Sequence, residues 1–334
     1  MDRVLLTGGS GFLGAHVLRL LLTETDAHVV LPVTFAHKGV PERLSYAVRD
    51  DQWGRVTVVR QDLTGPVNAT TARLFGAVDT ILNLASDTHP PRSVEQPVEF
   101  VNTNVGIALN LLEYARTLPN LEAFVQISTD AVYGPAGDGV SHVEWNPIIP
   151  ANPYAASKAA QEALGMAWWR SFGVPVMIAA TMNPLGETQD GEKFIPMTIG
   201  KILRGETVTV HANADGVVGG RTYIDADQVA AGLLFLVTKQ PPARFSGEVT
   251  RPDRWNVCGT TELSNQDVVA AIADALSEPV DMQIMAQTDR PEHGHRYAMS
   301  GAKLTEAGWS PDGDIRDALR RTVLWTRDNP LWIA

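Results

Sequence analysis

A chain of 334 residues with 44% hydrophobic and 19% charged residues can form one large or two modest domains, with a core that needs no disulfide or metal staples. Its net charge of −11 excludes a general binder of nucleic acid or anionic membrane surface, while a small anionic ligand held by local Arg and Lys stays compatible. The single cysteine, Cys258, cannot form an internal disulfide; in the strand-like run 254–259 it reads as a small buried hydrophobe.

Short apolar runs lie at 3–8, 28–33, 56–61, 80–85, 123–129 and 175–180. Amphipathic helical spacing fills the gaps, as at 15–25 and 102–117. Strands alternating with helices mean crossover connections, hence an α/β fold with a doubly wound parallel sheet (Rossmann). Beyond about residue 181 the rhythm breaks. Helices are expected at 197–205, at 264–278 with Ser264 as N-cap, and at 314–329. The expected division is a dinucleotide-binding domain over 1–181 plus about 222–248, and a smaller substrate lobe over 182–221 and about 249–334. No apolar run reaches membrane-spanning length and the N-terminal one is too short for a signal peptide. A soluble cytoplasmic protein is expected.

Thr7–Gly14 follows the first strand and opens the first helix, with Gly8, Gly11 and Gly14 spaced G-x-x-G-x-x-G around Phe12 and Leu13. Glycines there allow a tight turn and close approach of a pyrophosphate to a helix N-terminus. The second strand ends on Val33 and Thr34, where an acid for an NAD ribose is usual. His37 and Lys38 follow and offer charge for a 2′-phosphate, so NAD and NADP both stay open. Asp62, at the end of the third strand, is placed either to reach the adenine side or to cap its own loop. Leu63 beside it, and Leu84 and Ala85 after the fourth strand, complete the expected cofactor cleft.

Tyr154 and Lys158 are one helical turn apart on one face. A nearby ammonium, together with a positive nicotinamide, favours the phenolate, which then takes a proton from a substrate hydroxyl. The strand end Ser128–Thr129–Asp130 lies about 25 residues upstream.

Through these motifs the chain resembles the extended short-chain dehydrogenases/reductases, in their nucleotide-sugar epimerase/dehydratase group, almost end to end. Within that group it looks most like the dTDP-glucose 4,6-dehydratases. Residues 82–93 are similar to their A-A-E-S-H-V-D-R-S segment, 191–196 to P-E-K-L-I-P, and 290–309 to the R-P-G-H-D-x-R-Y-A-I-D close; 183–186 instead follow the epimerase pattern N-P-x-G. The resemblance implies NAD as cofactor and Thr129, Tyr154 and Lys158 as the hydride-transfer set. It also implies a homodimer through helices near 98–116 and 153–171. Asp87, His89, Arg92, Asn183, Lys193, Arg221, Arg290 and Arg296 would face the nucleotide sugar, since guanidinium forks match phosphate oxygens. For His89 a structural role, and for each Arg a solvated surface charge, are the competing readings. Ser128 reads as structural, and Trp168 and Trp169 as core or dimer interface. His293 and His295 lack a Cys or carboxylate cluster at ligand spacing, so no metal site is expected.

The departure is at position 131. The dehydratases end this strand T-D-E, the Asp serving as acid toward O6 and the Glu removing the C5 proton. This chain has Thr129–Asp130–Ala131, and a methyl group accepts no proton. The resulting expectation is a dehydratase with an altered base, Asp130 or Tyr154. It would act on a nucleotide sugar or the related nucleoside, as dehydratases of nucleoside-antibiotic pathways do in forming a 5,6-alkene. A nucleotide-sugar 4-epimerase is the alternative, because it needs no C5 base, and a non-catalytic NAD-binding protein is the third.

Overall fold

The computed structural model describes residues 1–36, 38–213, 215–286 and 296–333. Seven parallel strands form its centre. They are β1 (Arg3–Thr7), β2 (His28–Val33), β3 (Val56–Arg60), β4 (Thr80–Asn83), β5 (Ala123–Thr129), β6 (Val176–Thr181) and a seventh strand, Asp253–Val257. Their order across the sheet is β3-β2-β1-β4-β5-β6-seventh, so the chain reverses direction between β1 and β4. That switch point leaves a crevice at the carboxyl ends of the strands.

Every residue of β4, β5 and β6 is buried, which is why these segments read as continuous apolar runs rather than alternating ones. The two faces sort by a period of two. Val4 and Leu6 join Leu18 and Leu22 of the first helix α1 (Phe12–Glu24) in one core. Leu5 faces the other core with Phe124, Leu111 and Trp169. Trp169 is therefore a core residue, its indole nitrogen donating to the Ala243 carbonyl at 2.8 Å. Cys258 is buried as expected, and burial pushes its thiol up to about 12.

The seventh strand lies inside the 249–334 range assigned to the lobe. It pairs with β6 over five residue pairs, and the helix Ala226–Lys239 brings the chain back to reach it. Its Arg254 and Asn256 are buried and held by partners distant in sequence, among them Glu162 and Ser300.

The lobe gathers the helices Phe194–Leu203, Asn265–Leu276 and Ile315–Asp328 around a third core. Ser264 caps the second of these through a reciprocal box with Asp267. A partly exposed charge cluster around buried His16 joins lobe to sheet. His16 of α1 contacts Asp227 at 2.6 Å, Arg19 pairs with the same carboxylate, and Arg321 bridges Asp225 and Glu187. Hydrogen bonds from His16 and Arg19 hold the Asp227 carboxyl at about 2 against the opposing effect of burial. A depressed carboxylate contributes stability that is present above its unfolded value near 3.8 and is lost as pH falls through about 2. Melting temperature should therefore drop between those limits, and Asp227→Asn should flatten that acid limb relative to wild type.

Candidate active site

The glycine loop sits at the switch point. Gly8 has φ 69°, and a Cβ there would lie 2.9 Å from the Ala85 nitrogen. A Cβ on Gly14 would stand 2.0 Å from the Gly8 carbonyl oxygen, so α1 reaches the loop only because position 14 has no side chain. Gly11 is the N-cap of α1 and supplies no capping side chain. The first-turn N–H groups around Phe12 and Leu13 are thus left to an outside acceptor. Thr7 ties β1 to β4, donating to Asn83 Oδ1 at 2.7 Å and accepting from the Ala85 N–H at 3.0 Å. That contact ends β4 two residues before the expected position 85 and draws Leu84 and Ala85 under the loop. A pyrophosphate fits this cradle, so Gly8, Gly11, Phe12, Leu13 and Gly14 would hold a dinucleotide.

Of the two charges considered for a 2′-phosphate, His37 lies outside the described residues, and Lys38 stands 2.7 Å from Glu192. A carboxylate there repels a 2′-phosphate, which favours NAD over NADP. Asp62 accepts from Thr64 through both its N–H and its hydroxyl, at 2.9 and 2.8 Å, and so caps its loop from an exposed position beside buried Leu63.

Thr129, the last residue of β5, donates to Asp130 Oδ1 at 2.8 Å and accepts from the Ala131 N–H, opening a single 3-10 turn. The helix Pro153–Phe172, capped by Asn152, carries Tyr154 and Lys158 past this strand end. Burial pushes the Tyr154 phenol well above its ordinary value, the Thr129 hydroxyl pulls it back, and Asp130 raises it further. Burial also raises the Asp130 carboxyl, opposed by the Thr129 hydrogen bond and by the charge of Arg221. Four predicted residues therefore converge: Thr129, Asp130, Tyr154 and, from the lobe, Arg221. Lys158 is buried and donates to Gln161 Oε1 at 2.6 Å. Ser128 is structural as expected, donating to the buried Glu162 carboxylate, which is paired with Arg254 at 2.8 Å.

A second group assembles around the segment after β4. Arg92 pairs with Asp87 at 3.0 Å, and Lys193 donates to the Thr88 carbonyl at 3.1 Å. His89 Nδ1 caps the helix Pro90–Glu95 by accepting from the Arg92 N–H, while its Nε2 faces Glu192 at 3.8 Å. The structural reading of His89 thus holds for one ring nitrogen. Asn183, at φ 37°, donates to the Thr222 carbonyl at the exit of β6. Arg296 is engaged elsewhere, with Glu262 at 3.0 Å and the Gly137 and Val140 carbonyls filling its fork. Arg290, His293 and His295 lie outside the described residues. Among the described residues no group of three His, Cys, Asp or Glu is placed to hold a metal.

Sequence reasoning missed the Lys38–Glu192 pair and the amides Asn83, Gln126 and Gln161. The one available signal was Gln161 itself, a polar residue three positions after Lys158.

Comparison with known proteins agrees with this geometry. A model of the NAD dependent epimerase/dehydratase family matches residues 4–258. The chain is 32% identical over 357 residues to dTDP-glucose 4,6-dehydratase 1 of Escherichia coli K12, covering 99% of this chain and 94% of that one. It is also 32% identical to the Streptomyces antibioticus dTDP-glucose 4,6-dehydratase, covering 98% and 93%. Among solved structures, dTDP-glucose 4,6-dehydratase from Streptomyces venezuelae with NAD bound superposes with TM-score 0.86 at 29% identity, covering 99% and 98%. UDP-glucose 4-epimerase of Thermus thermophilus in complex with NAD superposes with TM-score 0.83 at 28%, covering 97% and 99%. With a glycine cradle at the sheet's switch point and a Tyr–Lys helix beside it, this chain belongs to the NAD-dependent epimerase/dehydratase family, of the extended short-chain dehydrogenase/reductase type.

Proposed function

We propose that the protein is an NAD-dependent dehydratase of a nucleotide sugar or the related nucleoside, working through transient oxidation of the C4 hydroxyl. NAD, when bound in the glycine cradle, supplies a reversible hydride acceptor. The Thr129 hydroxyl orients the substrate hydroxyl, and the Tyr154 phenolic oxygen takes its proton. A C4 ketone then acidifies the C5 proton.

The carrying observation is the pairing of Thr129 with Asp130 at 2.8 Å next to a methyl group at Ala131. Asp130 is the single carboxyl of this strand end. Burial favours its neutral form and Arg221 its charged form, so it is poised to exchange a proton in either direction. It takes the C5 proton, and the same proton leaves on the departing C6 oxygen as water, so one group performs both transfers. The hydride then returns to C4 and Tyr154 gives its proton back to the C4 oxygen, which leaves a 5,6-alkene and no net oxidation. Asp130→Asn should keep the oxidation half-reaction, seen as reduced cofactor in a single turnover. Water loss should fall by ~10²-fold or more. Undiminished water loss in that variant would refute the assignment.

A 4-epimerase is the second reading, favoured by Ala131 and by the Asn183–Gly186 pattern. dTDP-glucose and UDP-glucose, which appear in the relatives' names, are the substrates to try first. A cytoplasmic homodimer serving sugar or nucleoside-antibiotic biosynthesis is the setting we propose, on the family likeness.

A further inference from the structure

Between β4, β5 and the Tyr154 helix runs a line of buried amides that the chemistry above leaves unused. Thr7, Asn83, Gln126 and Gln161 are all fully buried. The Gln161 amide nitrogen donates to the Asn104 backbone carbonyl at 2.7 Å, which turns its oxygen toward Lys158 Nζ at 2.6 Å and Gln126 Nε2 at 3.0 Å. Gln126 Nε2 also donates to the Ile127 carbonyl, leaving Gln126 Oε1 to accept from Asn83 Nδ2 at 2.8 Å. Asn83 Oδ1 accepts from the Thr7 hydroxyl, which itself accepts from the Ala85 N–H. Each amide is locked in one orientation, because reversing Gln161 would set its NH2 group against an ammonium. Donation of the Gln161 N–H to the Asn104 carbonyl polarises the Gln161 amide and makes its oxygen a stronger acceptor, while the Asn83–Gln126 line holds the oxygen in place.

We propose that Gln161 is the positioning residue of Lys158: its carbonyl oxygen, oriented by the Asn83–Gln126 line, fixes the lysine side chain and stabilises its charged form. The functional consequence rests on the reading of Lys158 as a hydride-transfer residue; the contact itself does not. Burial pushes the Lys158 ammonium down to about 7, and Glu162 on the same helix raises it. Arg254 of the seventh strand faces that carboxylate and is paired with it. Among the described residues, Tyr154 lies one turn back on the same helix, and Asp130 stands in the turn after β5. The helix Pro97–Ala115, β4 and β5 contribute the neutral groups Asn104, Asn83, Gln126 and Ser128. Without Gln161 the ammonium would lose its closest acceptor.

The test reads Lys158 ionisation directly, by NMR of the full-length protein labelled with 13C-lysine, the resonance assigned by its loss in Lys158→Met. Gln161→Met should lower the titration midpoint by about one pH unit or more, and Gln161→Glu, which keeps an acceptor and adds charge, should raise it. Circular dichroism establishes that each variant is folded. A midpoint unmoved in both variants would overturn the proposal. Turnover against pH, measured in parallel, separates the two readings. A moved midpoint with an unmoved activity profile upholds the Gln161 contact and refutes the hydride-transfer role of Lys158.

Discussion

Tyr154→Phe should lower kcat by ~10²–10⁴-fold while leaving NAD binding within a factor of about two. The phenol contributes a single oxygen to the site. Its ring packs edge-on to Phe100, with centroids 6.1 Å apart, a contact that phenylalanine preserves. The backbone N–H of Tyr154 donates to Ser93 Oγ at 3.1 Å, and the substitution leaves that bond intact as well. The substitution removes the phenolic oxygen and its interaction with the Thr129 hydroxyl, and with them the proposed proton transfer. Thr129→Val should act in the same direction more weakly, because the Thr129 hydroxyl is what pulls the phenol down against burial. Isothermal titration with NAD, beside steady-state kinetics, separates the two effects. Loss of binding equal to the loss of rate would assign Tyr154 to the cofactor site alone.

Arg254→Met should destabilise the fold by ~3–5 kcal/mol, the largest stability effect expected from one substitution here. Both partners are buried, with side-chain exposures of 1% for Arg254 and 0% for Glu162. Removing the guanidinium leaves a carboxylate inside the protein with Ser128 and Lys158 as its remaining support, and burial already raises that carboxyl. The damage would reach the site, since Glu162 anchors Ser128 and hence the end of β5 that presents Thr129. Adding Glu162→Gln to Arg254→Met should recover much of the loss, because a neutral amide is far cheaper to bury than an unpaired charge. Denaturant midpoints for the two single variants and the double variant measure this. Simple additivity would show that the pair is not a coupled buried unit.

The first half of the fold was legible because burial on both faces forces continuous apolar runs, and because the glycine loop needs residues without Cβ atoms where α1 meets β1. The Tyr154–Lys158 pair was legible by helical spacing. The seventh strand was legible as a strand but not as part of the central sheet, since Arg254 and Asn256 are satisfied by residues distant in sequence, Glu162 and Ser300. Arg296 illustrates the converse limit. Its motif suggested a phosphate ligand, while its fork is filled by Glu262 and two carbonyls. The Lys158–Gln161 contact had its signal in the i,i+3 spacing, while the orientation of the Gln161 amide was not legible because Asn104 and Gln126, which set it, come from other elements.

The central claim is that the site oxidises its substrate and removes water without the glutamate that Ala131 replaces. The most direct test incubates the wild-type protein and NAD with dTDP-glucose, UDP-glucose and UDP-N-acetylglucosamine in D2O and weighs the products by mass spectrometry. A product lighter than its substrate by one water, apart from any deuterium gained, is the predicted result. A product of unchanged mass, carrying no deuterium and inverted at C4, would contradict it and establish an epimerase.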